Sequence, residues 1–183
     1  KLSDDLKITV QSTGASKANI QLLELEEVEL AIVQNDVMYY AYTGTDMFAG
    51  EDKIENFSAV ISCYPEVVQI IANKDINSIA DLKGKRVSVG DAGSGVEFNA
   101  KQILEAYGIT FDDITVSNQD FADSADSVKN GTIDAAFVVA GTPTNAVTEL
   151  SQDGSNLYVE KPGYYKISGV IGAEYMAPES DGE

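Results

Sequence analysis

One stretch of this chain has the residue types of an anion cradle: Gly90-Asp91-Ala92-Gly93-Ser94-Gly95. It lies between the β-branched run Arg86-Val87-Ser88-Val89 and a segment of helical periodicity from Val96 to Tyr107. The first turn of a helix offers free backbone N–H groups and the positive end of the helix dipole, and glycines let an anion approach that backbone closely. Ser94 and Glu97 have the spacing of a capping box, Ser-x-x-Glu. The loop therefore reads either as a seat for a ligand carboxylate or similar anion, or as a plain helix cap. Known glycine signatures do not apply. Gly-Lys-Ser/Thr is missing, the glycine order is wrong for a dinucleotide fold, and Gly-x-Ser-x-Gly is absent.

Three further loops follow strand-like runs: Ser12-Thr13-Gly14-Ala15, Gln34-Asn35-Asp36 and Ala140-Gly141-Thr142. They are small, polar and, Asp36 excepted, neutral. Such loops suit hydrogen bonding to a small polar molecule at the edge where open α/β sheets bind ligands. None supplies a general base, and Asp36 reads as a helix N-terminal residue. Asp120, Asp123 and Asp126 read as a solvated, dipole-favourable helix start. Tyr39, Tyr40, Tyr42, Tyr64, Tyr164 and Tyr165 are candidates for packing at a domain edge or lining a cleft.

Composition removes whole classes of chemistry. The 183 residues include no His, no Trp and one Cys. That excludes Ser-His-Asp and Cys-His sites, an intrachain disulfide, and a zinc site of Cys and His. No calcium loop is present, and no metal or cofactor is expected. Cys63, within Phe57-Ser58-Ala59-Val60-Ile61-Ser62-Cys63-Tyr64, is expected to be a buried thiol. Asp and Glu number 30 against 12 Lys and Arg, a formal charge of -18 that argues against nucleic acid and anionic lipid as partners. No apolar run is long enough to span a bilayer.

The elements that must position these loops alternate. Strands are expected at residues 8–11, 30–33, 57–63, 67–72, 86–89, 114–116, 135–139 and 157–159. Helices are expected at 18–25, 37–42, 78–82, 96–107, 121–129 and from Pro143 to Leu150, with Pro143 at the first helical position. Leu23 to Leu30, rich in Glu, reads as a solvated acidic face. The alternation indicates the α/β class, with parallel sheets covered by helices.

Several of these stretches together resemble a family. Gln11-Ser12-Thr13-Gly14-Ala15-Ser16 with Asn19-Ile20, and Leu30-Ala31-Ile32-Val33-Gln34-Asn35-Asp36-Val37, are similar to the TAXI-type solute receptors of tripartite ATP-independent periplasmic (TRAP) transporters. So are Ser78-Ile79-Ala80-Asp81-Leu82-Lys83-Gly84-Lys85-Arg86-Val87, Gly93-Ser94-Gly95 with Glu97 and Asn99-Ala100, and Gly131 to Gly141. The likeness covers about residues 8–150. It implies a type II periplasmic-binding-protein-like α/β fold with two lobes, each a mostly parallel sheet flanked by helices. Lobe 1 would hold residues 1–64 and 159–183, and lobe 2 residues 65–158.

By that resemblance the protein is an extracytoplasmic, monomeric, non-enzymatic receptor. It would bind a small anionic or zwitterionic ligand, a glutamate-like amino acid or dicarboxylate, and deliver it to TRAP permease subunits. The implied ligand contacts are Ser12, Thr13, Gly14, Gln34, Asn35, Tyr64, Gly93, Ser94, Gly95, Ala140 and Gly141. Alternatives of the same fold are the binding protein of an ABC importer and a ligand-sensing regulatory domain. The family pattern departs in places: a strand and helix start that would precede Lys1, a Thr where Val96 stands, and a helix-ending Gly where Glu26 stands. A receptor shortened at both ends, with lobe 1 missing a central strand, is the expectation.

Overall fold

The computed structural model describes residues 7–152 and the backbone of 158–159. Its sheet is built from β1 (Val67–Ala72), β2 (Arg86–Ser88), β3 (Thr115–Ser117), β4 (Ala135–Ala140) and β5 (Tyr158–Val159), in the order β3-β2-β4-β1-β5. β2 runs parallel to both β3 and β4, while β1 is antiparallel to β4 and β5. The fold is thus α/β with a mixed sheet. The simple alternation of elements predicts parallel neighbours only where a helix carries the chain back, and β1 reaches β4 across 62 intervening residues with its register Val67↔Ala140 to Ala72↔Ala135.

Side-chain alternation along β4 explains its central place. Ala135, Phe137 and Val139 point to one face, where they meet Ile103 and Leu104 of α3 (Gly95–Ala106) and a short 3-10 turn at Ile79–Leu82. Ala136 and Val138 point to the other, against α4 (Phe121–Lys129) and α5 (Asn145–Gln152). A strand buried on both faces reads as a continuous apolar run, as Ala-Ala-Phe-Val-Val does. α4 is capped by Asp120, which accepts from Asp123 N at 2.8 Å. α5 starts two residues after Pro143. The carbonyl of Thr144 accepts from Thr148 N, and its hydroxyl bonds Gly141 O and Gln69, so 142–144 form a turn rather than a first helical position.

The second unit is helical. α1 (Ser16–Glu24) and α2 (Asn35–Thr43) pack with a 3-10 turn at Asp46–Phe48 around Ile20, Val37, Tyr40, Ala41, Phe48 and Ile54. Glu26 adopts φ 57, the left-handed conformation a helix-ending glycine would supply. Residues 24–27 are exposed, as an acidic solvated face should be.

The strands expected at 8–11, 30–33 and 57–63 are not formed. These segments make no ladder bonds, and Val10, Leu30 and Ile61 are 89%, 76% and 79% exposed. Cys63 is exposed as well, not buried. β-branched sequence fits a pleated, half-buried surface but cannot supply the neighbouring strand that satisfies its N–H and C=O groups. Strand β5 begins at Tyr158, and the tail expected to rejoin lobe 1 lies outside the described residues.

Phe137 sits at the centre of β4 with no exposed surface. Phe137→Ala should cost about 3–5 kcal/mol of stability in urea unfolding, from lost transfer energy and the cavity left behind.

Candidate functional site

The glycine loop folds as a strand-to-helix turn whose internal bonds leave a small gap. Gly90 has φ 87, and a Cβ there would stand 2.7 Å from Val96 Cβ, so only glycine fits. Ser94 Oγ accepts from Glu97 N at 3.0 Å. The reciprocal bond falls one residue earlier than the capping-box spacing predicts: Glu97 Oε2 accepts from Gly93 N at 2.7 Å. Asn118 Nδ2 donates to Glu97 Oε1 and Gly90 O, at 3.0 and 2.8 Å, and pins the loop. The chain's own carboxylate therefore takes the Gly93 amide. The N–H groups of Gly95 and Val96 keep no protein acceptor among the described residues.

Three helix N-termini meet at Gln34. α1 has no side-chain cap, and its first residue, Ser16, accepts Gln34 N at its hydroxyl at 3.2 Å. Gln34 is the uncapped N-terminal residue before α2. Its carboxamide lies on the first residue of α3, so close that a Cβ on Gly95 would overlap Gln34 Oε1. Nε2 of the same carboxamide donates to Asn99 Oδ1 at 3.3 Å, and Asn99 Nδ2 donates to Asp36 Oδ2 at 2.8 Å. Glu66, between Tyr64 and β1, lies near enough to Gln34 for the carboxamide to lower its carboxyl against the effect of burial. Ala15, at the entrance to α1, is held at φ 122, a backbone region that favours glycine and costs about 1–3 kcal/mol for other residues.

The sequence-derived contacts are placed as follows. Gln34 and Gly95 touch, and Gly93 and Ser94 belong to the same loop. Tyr64 lies against Gly141, where a Cβ would come within 3.4 Å of its ring, and Ala140 pairs with Val67 beside them. Glu66 follows Tyr64 and Pro65 in the chain and stands near Gln34. Ser12, Thr13 and Gly14 are exposed ahead of α1, with Thr13 Oγ1 donating to Asn19 Oδ1. Asn35 is exposed on the first turn of α2. Ser94 is buried, its hydroxyl taken by the cap.

Sequence reasoning overlooked Glu66, used Asn99 only within the family resemblance, and gave Asp36 only a helix-start role. Asp36 does serve there, accepting from Val37 N at 2.8 Å, but it is buried and reaches α3 as well. Lys17 was also passed over. With Lys101 and the acids Asp46, Glu97, Glu105 and Asp112 it lines an open groove of about 570 Å³ between α1 and α3. Lys17 donates to Met47 O and Glu51, at 2.9 and 2.7 Å, and stands 4.9 Å above the Phe48 ring. The clue in the sequence was scarcity: a cation in the first turn of a helix in so acidic a chain.

Among the described residues no group of three or more His, Cys, Asp or Glu could hold a metal ion. The two acids beside Gln34, Asp36 and Glu66, form no ion pair among the described residues. Burial pushes the Asp36 carboxyl up, against the lowering effect of its bonds from Asn99 and Val37. Burial also raises Glu66, and the nearby Asp36 charge adds to that while Gln34 opposes it.

These features match known proteins. The profile of the NMT1-like family fits residues 1–163. The chain belongs to the NMT1-like family. The alkanesulfonate-binding protein SsuA from Xanthomonas axonopodis pv. citri, bound to MOPS, is similar in structure, with a TM-score of 0.51 and 20% identity over 80% of this chain and 47% of that one. The periplasmic aliphatic sulphonate binding protein SsuA from Escherichia coli aligns with 26% identity and a TM-score of 0.42 over 52% of this chain and 29% of its own. The chain spans less than half the length of either protein. The fold is that of periplasmic binding proteins.

The raised carboxyls set a sign for pH dependence. Between the ordinary carboxylate value of ~4 and the raised pKa, the native state binds more protons than the unfolded chain, so stability falls as pH rises through that window. Asp113 acts oppositely. Bonds from Thr110 and Lys83 hold it down to about 2, so its contribution is present above the unfolded value and lost as pH falls toward 2. Urea unfolding from pH 7 to pH 2 should therefore show stability rising on mild acidification and falling in strong acid. Asp36→Asn with Glu66→Gln should flatten the rise and leave the fall. The exposed pair Glu27→Gln with Glu29→Gln, which only lowers net charge, should not flatten it to the same degree.

Proposed function

We propose that this chain is the ligand-binding part of an extracytoplasmic solute receptor that hands a small organic acid or amino acid to a membrane transporter. The observation that carries this reading is the pair of unacceptored N–H groups at Gly95 and Val96, placed where three helix N-termini meet. Such a site attracts an anion through local dipoles although the chain as a whole is strongly negative. Ser12, Thr13, Gly14, Asn35, Tyr64 and Gly141 would add polar or ring contacts from the surrounding loops, and Gln34 would contribute from their centre. Among the described residues no paired acid and base stands at the seam, and retention of a ligand asks for none. The lobes would divide near Tyr64–Pro65, residues 1–64 and 159–183 against 65–158. The separate cores of the helical unit and the sheet support that boundary.

The transporter we favour is an ABC importer: the similar structures include sulfonate-binding and arginine-binding proteins, and two of them are named for sulfonate and amino acid ABC transporters. A TRAP partner is the second reading, supported by the Gln11-to-Ser16 and Ile32-to-Asp36 stretches. Among the described residues no helix is long and apolar enough to cross a membrane.

A thermal-shift panel tests the receptor reading. It would contain taurine, an alkanesulfonate, glutamate, arginine, 2-oxoglutarate, C4 dicarboxylates and neutral sugars. A true ligand at 100 times its Kd should add roughly 2.7 kcal/mol, a rise of a few degrees in Tm. One anionic or zwitterionic compound should shift Tm selectively and the sugars should not. A response to sugars alone would refute an anion seat. Co-purification with an ATPase-dependent permease or with a large TRAP permease then separates the two transporters.

A further inference from the structure

The two units are joined by side chains that need no solute. α3 belongs to the sheet unit, since Ala100, Ile103 and Leu104 are buried in its core, while α2 belongs to the helical unit through Val37, Tyr40 and Ala41. Contacts cross between them at two levels. Near the helix starts, the Gln34 carboxamide rests on Gly95 and bonds Asn99, and Asn99 bonds Asp36. One turn further on, Gln102 Nε2 donates to Tyr40 Oη at 3.2 Å, and the Tyr40 and Phe98 rings pack at 4.9 Å. The upper contact is ordinary aromatic packing that tolerates small shifts. The lower one depends on a missing side chain. Gly95 has an unremarkable φ, so its backbone would accept alanine, yet the Gln34 carboxamide fills the place of a Cβ. Glycine is needed there for close approach and not for backbone conformation.

We propose that Gln34 seated on Gly95 is a latch that holds the helical unit against the sheet unit. A protein whose binding-competent state is already populated loses less affinity to the cost of closing. The latch would thereby set how much of the receptor stands ready for its solute. The proposal does not depend on which solute that is, or on whether the chain is a receptor at all.

The test compares the parent chain with Gly95→Ala, Gln34→Ala and the double variant, all without added solute, by hydrogen exchange and small-angle scattering. Gly95→Ala displaces the carboxamide; Gln34→Ala removes it without inserting anything. Each should speed exchange in the first turns of α2 and α3 by roughly tenfold or more and enlarge the particle, with β4 and α4 amides unchanged. The double variant should be no more open than Gln34→Ala alone, because both changes break one contact. Exchange at the seam that stays within about twofold of the parent in Gln34→Ala, or effects that add in the double variant, would overturn the latch. Unchanged β4 protection distinguishes opening from failure to fold. A latch confirmed beside a silent solute panel would leave the latch standing and count against the receptor reading.

Discussion

Gln34 can reach Asn99 only because residue 95 has no side chain. That absence brings the starts of α1, α2 and α3 to one point, and the helical unit meets the sheet unit through it. A helix start presents N–H groups that must find acceptors from outside its own backbone. Here some are satisfied internally, Gly93 by Glu97 and Glu97 by Ser94. Those of Gly95 and Val96 are left open. The same turn thus does two things: it fixes the units against one another and it leaves two backbone donors without a protein acceptor among the described residues.

The sheet unit gives that arrangement a rigid base. β4 is packed on both faces, and α3 is anchored along its length by Ala100, Ile103 and Leu104, so the N-terminus of α3 is held in place from behind. The helical unit has a smaller core, assembled around Phe48 and Ile20, and three of its connecting segments expose apolar side chains. The asymmetry places the stable half of any site on the sheet side and the adjustable half on the helices. At the seam Asp36 is buried and Glu66 half-buried, and neither forms an ion pair among the described residues.

Much of this was legible in the sequence. The continuous apolar run of Ala135 to Val139 and the helix starts at Asp120 and Ser94 mark elements whose signals are local, and those elements form. The glycine loop was readable for the same reason, since its chemistry is contained in six residues. What the sequence hid were relations between distant residues. Asp36 and Asn99 are ordinary polar residues until folding buries them together, and Glu66 gains meaning only from Gln34. The expected strands at 8–11, 30–33 and 57–63 failed for the converse reason: propensity is local, but a strand exists only beside another strand. The antiparallel direction of β1 and the exposure of Cys63 belong to the same class of non-local fact.

The most direct measurement is the amide chemical shift of Gly95 and Val96 as anionic and zwitterionic solutes are titrated into the labelled protein. Saturable shifts of these two amides, at one solute concentration scale and absent with neutral sugars, are the expected result. A solute that binds tightly while these amides stay unmoved would contradict an anion seat at the start of α3.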